Sequence, residues 1–447
     1  MGIEFTSTVD ASIDEVFAWF GRPGALRRLL PPWQPMHAMS EADSLADGRA
    51  VLGLPGGLRW QAQHVGSDYS PPHRFVDERV VDGVTSIPPS LAGPWRHVHD
   101  FREAPDGRTV MVDRVHTAVP AALLRPTFEY RHRQVADDLS SHHTARERGF
   151  APSVIAVSGA SGMVGSALCA FLTTGGHRVI RLDRHAHDGH GDDVRAWDPA
   201  APASDLFAGV DAVVHLAGAP IAGRFTDSHK AKIRDSRVEP TRLLAQAAAA
   251  SSTVRTFVSA SAIGFYGYAR PDEVLTESSS KGGGFLADVV GDWEHAARVP
   301  GIRTVQVRTG IVQSPTGGTL RLQRPIFAAG LGGPIGDGSQ WLSWIDLDDL
   351  VDVYLRALFD DRLDGPVNAV APAPVTGREY AKTLGRVLHR PAVLPVPEFG
   401  PALLLGRQGV RELAAADQHV DNRALDDVGH RFRHATLEES LRHQLGR

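Results

Sequence analysis

The sequence predicts an α/β protein: a doubly wound parallel sheet, preceded by a smaller α+β domain with mostly antiparallel strands. Three observations carry this. From Val154 the chain alternates short apolar runs with helical stretches, the pattern of a parallel sheet covered on both faces. The first run opens into a glycine-rich turn, Gly159-Ala-Ser-Gly162-Met-Val-Gly165. Before residue 150 the texture differs, with alternating strands and a hairpin signal at Pro105-Asp106-Gly107.

The bulk properties bound the reading. At 447 residues the chain exceeds one ordinary core. A net charge of −5 gives no electrostatic case for nucleic acid. The single cysteine, Cys169, excludes a disulfide within the chain and a cysteine-based zinc site. The start, MGIEFTSTVDASIDEVF, lacks the basic and apolar regions of a signal peptide, and no run is long enough to span a membrane. A cytoplasmic location is expected.

In chain order, ASIDEVFAWF opens a helix with a capping box, Ser12 with Glu15. HRFVDERVV and the two arms around Pro105 read as strands, and TFEYRHRQVADDLSSHH as a closing helix from about Pro126. A curved sheet on one long helix would enclose an apolar cavity. His97 and His99 share one strand face. They read as ordinary strand histidines, with a place facing the cavity as the alternative. These N-terminal stretches, with GPWRHVHDF and DGRTVMVDRVHTAVP, resemble the START-related ligand-binding superfamily. That resemblance implies an apolar ligand without naming one.

Strands of the parallel sheet are expected at 153–158, 178–183, 212–216, 256–261 and 303–308, with later helices at about 377–388 and 436–445. Gly159 permits the tight exit from the first strand. Gly162 lets the backbone approach a pyrophosphate, and Gly165 lets the helix pack close. Ser161, Met163 and Val164 complete the loop and helix N-terminus, whose free N–H groups favour phosphate. This is the dinucleotide-binding, or Rossmann, arrangement. Asp183 ends the second strand, where a carboxylate holds a ribose 2′-OH and argues for NAD. The adjacent Arg184 can hold a 2′-phosphate and tips the expectation slightly towards NADP. The following RHAHDGHGDD, with His185, His187, His190 and Asp192, reads as a solvated loop rather than a metal site.

Leu216, Ala217 and Gly218 leave room beside the adenosine side. Ser259, Ser261 and Tyr266 fall at the carboxyl edge of the fourth strand, and Arg308 at that of the fifth. HLAG, SASAIGFYG, VRTG and WIDLDDL, in this order over about 154–370, resemble the extended short-chain dehydrogenase/reductase superfamily. AGAPIAGRFTDSHKAKIRDSRV, the DWE at 292–294 and the tail GPVNAVAPAPVTGREYAKTLGRVLHRPAVLPVP resemble one epimerase/dehydratase-like branch, some members of which carry a START-like domain in front. The implied domains are 1–148 (START-like), 149–370 (NAD(P)-binding) and 371–447 (small, C-terminal, on the substrate side). A small-molecule substrate and a homodimer are further implications.

The pattern breaks at the proton relay. Family chemistry implies Tyr-x-x-x-Lys, the lysine lowering the tyrosine pKa. No tyrosine here has lysine four positions on, and GGGFLADVVGDWEHAARV, the helix expected to carry the motif, has neither residue. Ser261 matches the family serine that holds the substrate oxygen. Tyr266 is the substitute candidate, with Arg270 as its electrostatic partner. Two readings stay open: an NAD(P)-dependent oxidoreductase or epimerase-like enzyme with an altered relay, and a non-catalytic dinucleotide-sensing or ligand-binding protein. Lys230, Lys232, Arg234 and Arg237 read as a solvated helix face, with a phosphate contact as the alternative. Asp346, Asp348 and Asp349 read as a helix N-terminus. Trp341 and Trp344 either line the substrate pocket or pack in the core.

Overall fold

The computed structural model describes residues 2–447 except 92, 186–192 and 397–398, and omits the side chains of 399–401, 403 and 404. His187, His190 and Asp192 therefore lie outside the described residues. The chain divides into two compact units. One comprises Met1–Pro152, Cys169–His177 and His443–Arg447; the other comprises Ser153–Leu168 and Arg178–Arg442. Residues 371–442, expected as part of a separate small domain, thus belong to the unit of the parallel sheet.

In the first unit, β1 (Gly2–Val9), β2 (His37–Ser40), β3 (Arg49–Gly53), β4 (Arg59–His64), β5 (Arg74–Val80), β6 (Trp95–Glu103) and β7 (Thr109–Thr117) form an antiparallel sheet. Its order is β1-β7-β6-β5-β4-β3-β2. Ser12 caps the helix Ile13–Gly21 by accepting the Glu15 N–H, as its position predicted. The long helix runs Ala121–Glu147 and starts before Pro126, because Pro120 already supplies the N-cap turn. Val16, Phe17, Trp19, Phe20, Phe75, Phe101, Met111, Val135 and Leu139 pack between helices and sheet. Little space remains: a crevice with no room for a water molecule, lined by Phe20, Met111 and Val135 but also by Asp113, Arg131 and His132. Ligand pockets are commonly larger and mostly apolar. Where the sequence predicted an apolar cavity, aromatic side chains occupy much of the space between helices and sheet among the described residues, and ionisable groups line this pocket.

The second unit contains β8 (Val154–Ser158), β9 (Arg178–Asp183), β10 (Val194–Ala196), β11 (Ala212–His215), β12 (Thr256–Ala262), β13 (Ala269–Leu275), β14 (Arg303–Thr309), β15 (Ile311–Gln313), β16 (Trp341–Leu342), β17 (Trp344–Asp346), β18 (Gly365–Ala369), β19 (Val375–Thr376) and β20 (Asp417–Val420). Seven of these form a sheet in the order β10-β9-β8-β11-β12-β14-β18, with every pairing parallel. The five strands expected from the sequence lie within a residue of their predicted ends, because each is an apolar run closed by glycine, serine or a charge. Strand order reverses between β8 and β11. In doubly wound sheets the crevice at that point, at the carboxyl ends of the strands, is where ligands bind.

Residues 417–420 form part of a separate two-stranded sheet. β20 pairs with β13, and Gln418 Nε2 donates to the carbonyls of Ile263 and Gly267. Asp346 caps the helix Leu347–Phe359 by accepting the Asp348 N–H at 2.8 Å. Asp349 accepts the backbone N–H of His434 at 3.2 Å. The acidic cluster is therefore a helix start, as expected, and it also anchors the C-terminal segment. Burial opposes charge on His434, but Asp346 and Asp349 outweigh it and raise its pKa from 6.5 to about 9. A raised folded-state pKa stabilises fully below the unfolded value and is lost as pH climbs through the folded one. Thermal unfolding midpoints should therefore fall between pH 6.5 and about 9, and His434→Gln should flatten that decline in a pH series of melts.

Candidate dinucleotide site

β8 ends in a turn that only glycine can make at two positions. Gly159 has φ +71°, and a Cβ there would lie 2.8 Å from the Ala217 nitrogen on the neighbouring strand exit. A Cβ on Gly165 would lie 2.1 Å from the Gly159 carbonyl oxygen and 2.9 Å from the Ala160 Cα, so the helix Met163–Thr174 sits directly on the turn. Gly162 differs. Its nearest obstacle is the Gly159 oxygen at 3.3 Å, and both it and Ser161 are exposed. The Gly162 N–H closes the turn onto Gly159 at 3.0 Å. The opening N–H groups of the helix, from Met163 and Val164, point towards the same mouth. Met163 flanks it from one side, where a Cβ on Gly317 would meet its sulfur at 2.6 Å.

Asp183 and Arg184 are exposed at the end of β9. The Asp183 carboxylate accepts the His185 N–H at 2.9 Å, which fixes its direction. Across the crevice Leu216 and Ala217 are half-buried and Gly218 is exposed. Their support was invisible in the sequence. His215, fully buried, joins Ser158 Oγ at 2.6 Å to Thr241 Oγ1 at 2.9 Å, and Trp293 Nε1 donates to the same threonine. Burial, with Arg237 nearby, lowers the His215 pKa to about 3, so it holds the strands as a neutral ring.

Arg237 overturns its reading as a solvated helix residue. It is 8 % exposed, and its guanidinium lies 3.0 Å from where a Cβ on Gly218 would be. It stacks over Trp293 at 5.3 Å and donates to the Ile233 carbonyl at 3.2 Å. Its Nε has no hydrogen-bond partner, and among the described residues no carboxylate pairs with it. Burial lowers its pKa to about 10, leaving it charged at neutral pH. A buried cation without an anion, beside an exposed glycine at the crevice wall, suits an anionic ligand. Lys232 and Arg234 are exposed, as expected, with Arg234 paired to Asp292; Lys230 is half-buried, its ammonium over the Phe285 ring at 5.7 Å.

The catalytic candidates lie at the carboxyl end of β12, as expected, but their hydroxyls are buried. Ser261 is 4 % exposed and donates to Glu294 Oε1 at 2.7 Å. Alternation along β12 turns it away from Ala260 and Ala262, the half-exposed residues of that strand end. Ser259 is fully buried and donates to the Ala260 carbonyl. Tyr266 is fully buried; its hydroxyl donates to Asn368 Oδ1 at 2.7 Å or the Thr276 carbonyl at 2.9 Å and accepts from Arg308 at 2.8 Å. Its pKa is raised by burial, against a smaller pull from Arg308. The cation beside it is thus Arg308, while Arg270 pairs with Glu273. Arg308, expected at the cofactor, is 2 % exposed and forms a two-pronged pair with Glu294 at 2.7 and 2.8 Å. Ser261, Glu294, Arg308, Tyr266 and Asn368 form one buried hydrogen-bonded cluster. Trp344 is core, and Trp341 stacks on His419 at 4.2 Å.

A sheet reversing order beside a glycine turn, with an open helix start and an uncompensated cation, defines a dinucleotide-binding α/β protein. The residues present fit such a cofactor. Residues 155–284 match the NAD dependent epimerase/dehydratase family, and 396–444 match a domain of unknown function, DUF1731. The epimerase family protein Mb2239 of Mycobacterium bovis is 40 % identical over 297 residues, covering 65 % of this chain and 97 % of its own length. A crystal structure of the nucleoside-diphosphate sugar epimerase from Corynebacterium glutamicum is 39 % identical with TM-score 0.86, covering 99 % of this chain and 90 % of that one. Human epimerase family protein SDR39U1 with NADPH is 31 % identical with TM-score 0.60, covering 65 % of this chain and 99 % of that one. The chain belongs to the NAD dependent epimerase/dehydratase family.

Proposed function

We propose that this chain binds NADP(H) or NAD in the crevice between β8 and β11 and uses it on a small-molecule substrate of the nucleotide-sugar class. The observation that carries the reading is the open Gly162 mouth together with the buried, carboxylate-free Arg237 beside Gly218. The Corynebacterium relative's description as a nucleoside-diphosphate sugar epimerase supports the substrate class. The cofactor supplies hydride exchange. Gly162 and the helix start at Met163 take the pyrophosphate, Asp183 or Arg184 the adenosine ribose, and Arg237 a phosphate. Leu216, Ala217 and Gly218 form the adenosine wall.

Ser261 and Tyr266 act as positioning residues through Glu294 and Arg308, rather than by meeting the substrate. The proton relay then differs from Tyr-x-x-x-Lys. The N-terminal unit is read as START-like, on the resemblance of its strands and closing helix.

Replacing Arg237 by glutamine should raise the dinucleotide Kd by about tenfold or more, the loss of one charge-assisted contact. Arg184→Glu should shift preference from NADPH towards NADH, measured as the ratio of the two Kd values. The function itself is tested by following product formation by chromatography or NMR, alongside nicotinamide absorbance, across a panel of nucleotide sugars. Turnover with one class supports the enzyme. Bound cofactor without turnover anywhere supports the second reading, a dinucleotide sensor, which the enclosure of both candidate hydroxyls favours.

A further inference from the structure

We propose that Asp77, His97 and His99 form a site for one divalent transition-metal cation of the zinc class, with Asp113 as their shared outer carboxylate. Alternation puts all four side chains on the helix-facing side of the first sheet, together with Phe75, Phe101 and Met111. The register pairs Asp77 with His97 and His99 with Asp113 across β5, β6 and β7.

The ligand atoms converge. Asp77 Oδ2 lies 3.4 Å from His97 Nδ1 and 3.5 Å from His99 Nε2, and all three atoms lie within 4.8 Å of one another. These separations are long for N–H···O hydrogen bonds, which cluster near ~2.9 Å. They fit the edge of a coordination tetrahedron. Ligands ~2.0–2.1 Å from Zn²⁺ stand roughly 3.3 Å apart.

The second observation lies on the far side of both rings. His99 Nδ1 is 2.8 Å and His97 Nε2 is 3.3 Å from one oxygen of Asp113. None of these three buried atoms makes a hydrogen bond of normal geometry in the ion-free arrangement. Metal-bound histidines almost always turn the opposite ring nitrogen to a carboxylate or carbonyl. Asp113 serves both rings. It is held in turn by His132 at 3.0 Å, which meets Ser7 Oγ at 2.7 Å.

The rings are also fixed in place. His99 stacks on Phe75 at 4.0 Å, and His97 meets Phe128 edge-on at 5.3 Å. A divalent ion there would add to the positive charge of Arg131, which acts on the same two carboxylates, and a small rotation of each ring would align its second nitrogen with Asp113. Asp77, with its side chain 14 % exposed against 2 % and 7 % for the histidines, is the entry. Three protein ligands leave one position for water or an exchangeable ligand.

The test uses the full-length chain, stripped with a chelator and then equilibrated with Co²⁺ or Zn²⁺. One equivalent should bind, the Co²⁺ form should show the visible absorption of tetrahedral nitrogen–oxygen ligation, and Zn²⁺ should raise the thermal midpoint. His97→Gln and His99→Gln should each weaken binding by more than 100-fold, and Asp113→Asn by about 10–100-fold. A folded wild-type chain that takes up no Co²⁺ leaves only a charged hydrogen-bond network and overturns the proposal. Binding unchanged in His97→Gln overturns it equally. Should the histidine variants fail to fold, wild-type stoichiometry and the Co²⁺ spectrum decide alone, since an octahedral spectrum contradicts the site.

Discussion

Gly162→Ala should weaken NADPH binding by about 10–100-fold, roughly 1.4–2.8 kcal/mol, without unfolding the chain. Gly165→Ala should unfold the turn. The two changes add the same methyl group three residues apart, and the surroundings decide the outcome. At Gly162 the new atom meets one carbonyl oxygen at 3.3 Å and otherwise projects into the open mouth. A shift of a few tenths of an ångström accommodates it, but it occupies the place where phosphate oxygens approach the backbone. At Gly165 the atom would lie 2.1 Å from Gly159 oxygen and 2.9 Å from Ala160 Cα. Both obstacles are backbone, so no side chain can swing aside. Overpacking of this kind costs at least ~1–3 kcal/mol, and here it falls on the turn that joins β8 to its helix. Calorimetric titration with NADPH and thermal melts separate the two effects. A Gly162→Ala chain that binds as tightly as wild type would show that the phosphate lies elsewhere.

Arg308→Met should destabilise the parallel-sheet unit by about 3–5 kcal/mol, the usual result of stranding one member of a buried ion pair. For a unit of this size that is a fall of roughly 10 °C in thermal midpoint. Glu294 would remain 5 % exposed with only Ser261 Oγ and its helix dipole for company. Tyr266 would lose its cationic donor. The double change Arg308→Met with Glu294→Gln should recover part of the loss, because no unpaired charge stays buried. Glu294→Gln alone should cost less than Arg308→Met, since the amide still accepts from the guanidinium. Melts of the three variants check this ordering. Equal midpoints for wild type and Arg308→Met would mean that the pair contributes nothing to the fold.

Much of the parallel sheet was legible because local signals agreed. Short apolar runs, glycine stops and a capping carboxylate at Asp346 point to the same elements without any knowledge of the partner strands. The glycine turn was legible for the same reason, since its geometry is set within seven residues. The polar cluster was not. Arg308 and Glu294 meet only because β14 lies beside β12, against which the helix Phe285–Ala297 packs. Arg270 looked like a partner for Tyr266 on i, i+4 spacing, which brings side chains together only on a helix. Tyr266 ends a short 3₁₀ turn and Arg270 sits in β13, so the spacing has no such meaning. Arg237 appeared solvated because its neighbours Lys232 and Arg234 are. The break after Asp235 turns it inward and starts a second helix at Val238. Among the described residues no helix is long and apolar enough to cross a membrane. The relation of His97 and His99 to Asp77 and Asp113 depended on strand register, which composition does not encode.

The account rests on the crevice between β8 and β11 accepting a dinucleotide through the Gly162 mouth and Arg237. Calorimetric titration of the full-length chain with NADPH, repeated with NADH, tests it most directly. The account predicts one site per chain, tighter for NADPH, weakened in both Gly162→Ala and Arg237→Gln. A folded chain that releases no heat with either dinucleotide, and whose melting temperature neither one raises, would contradict it.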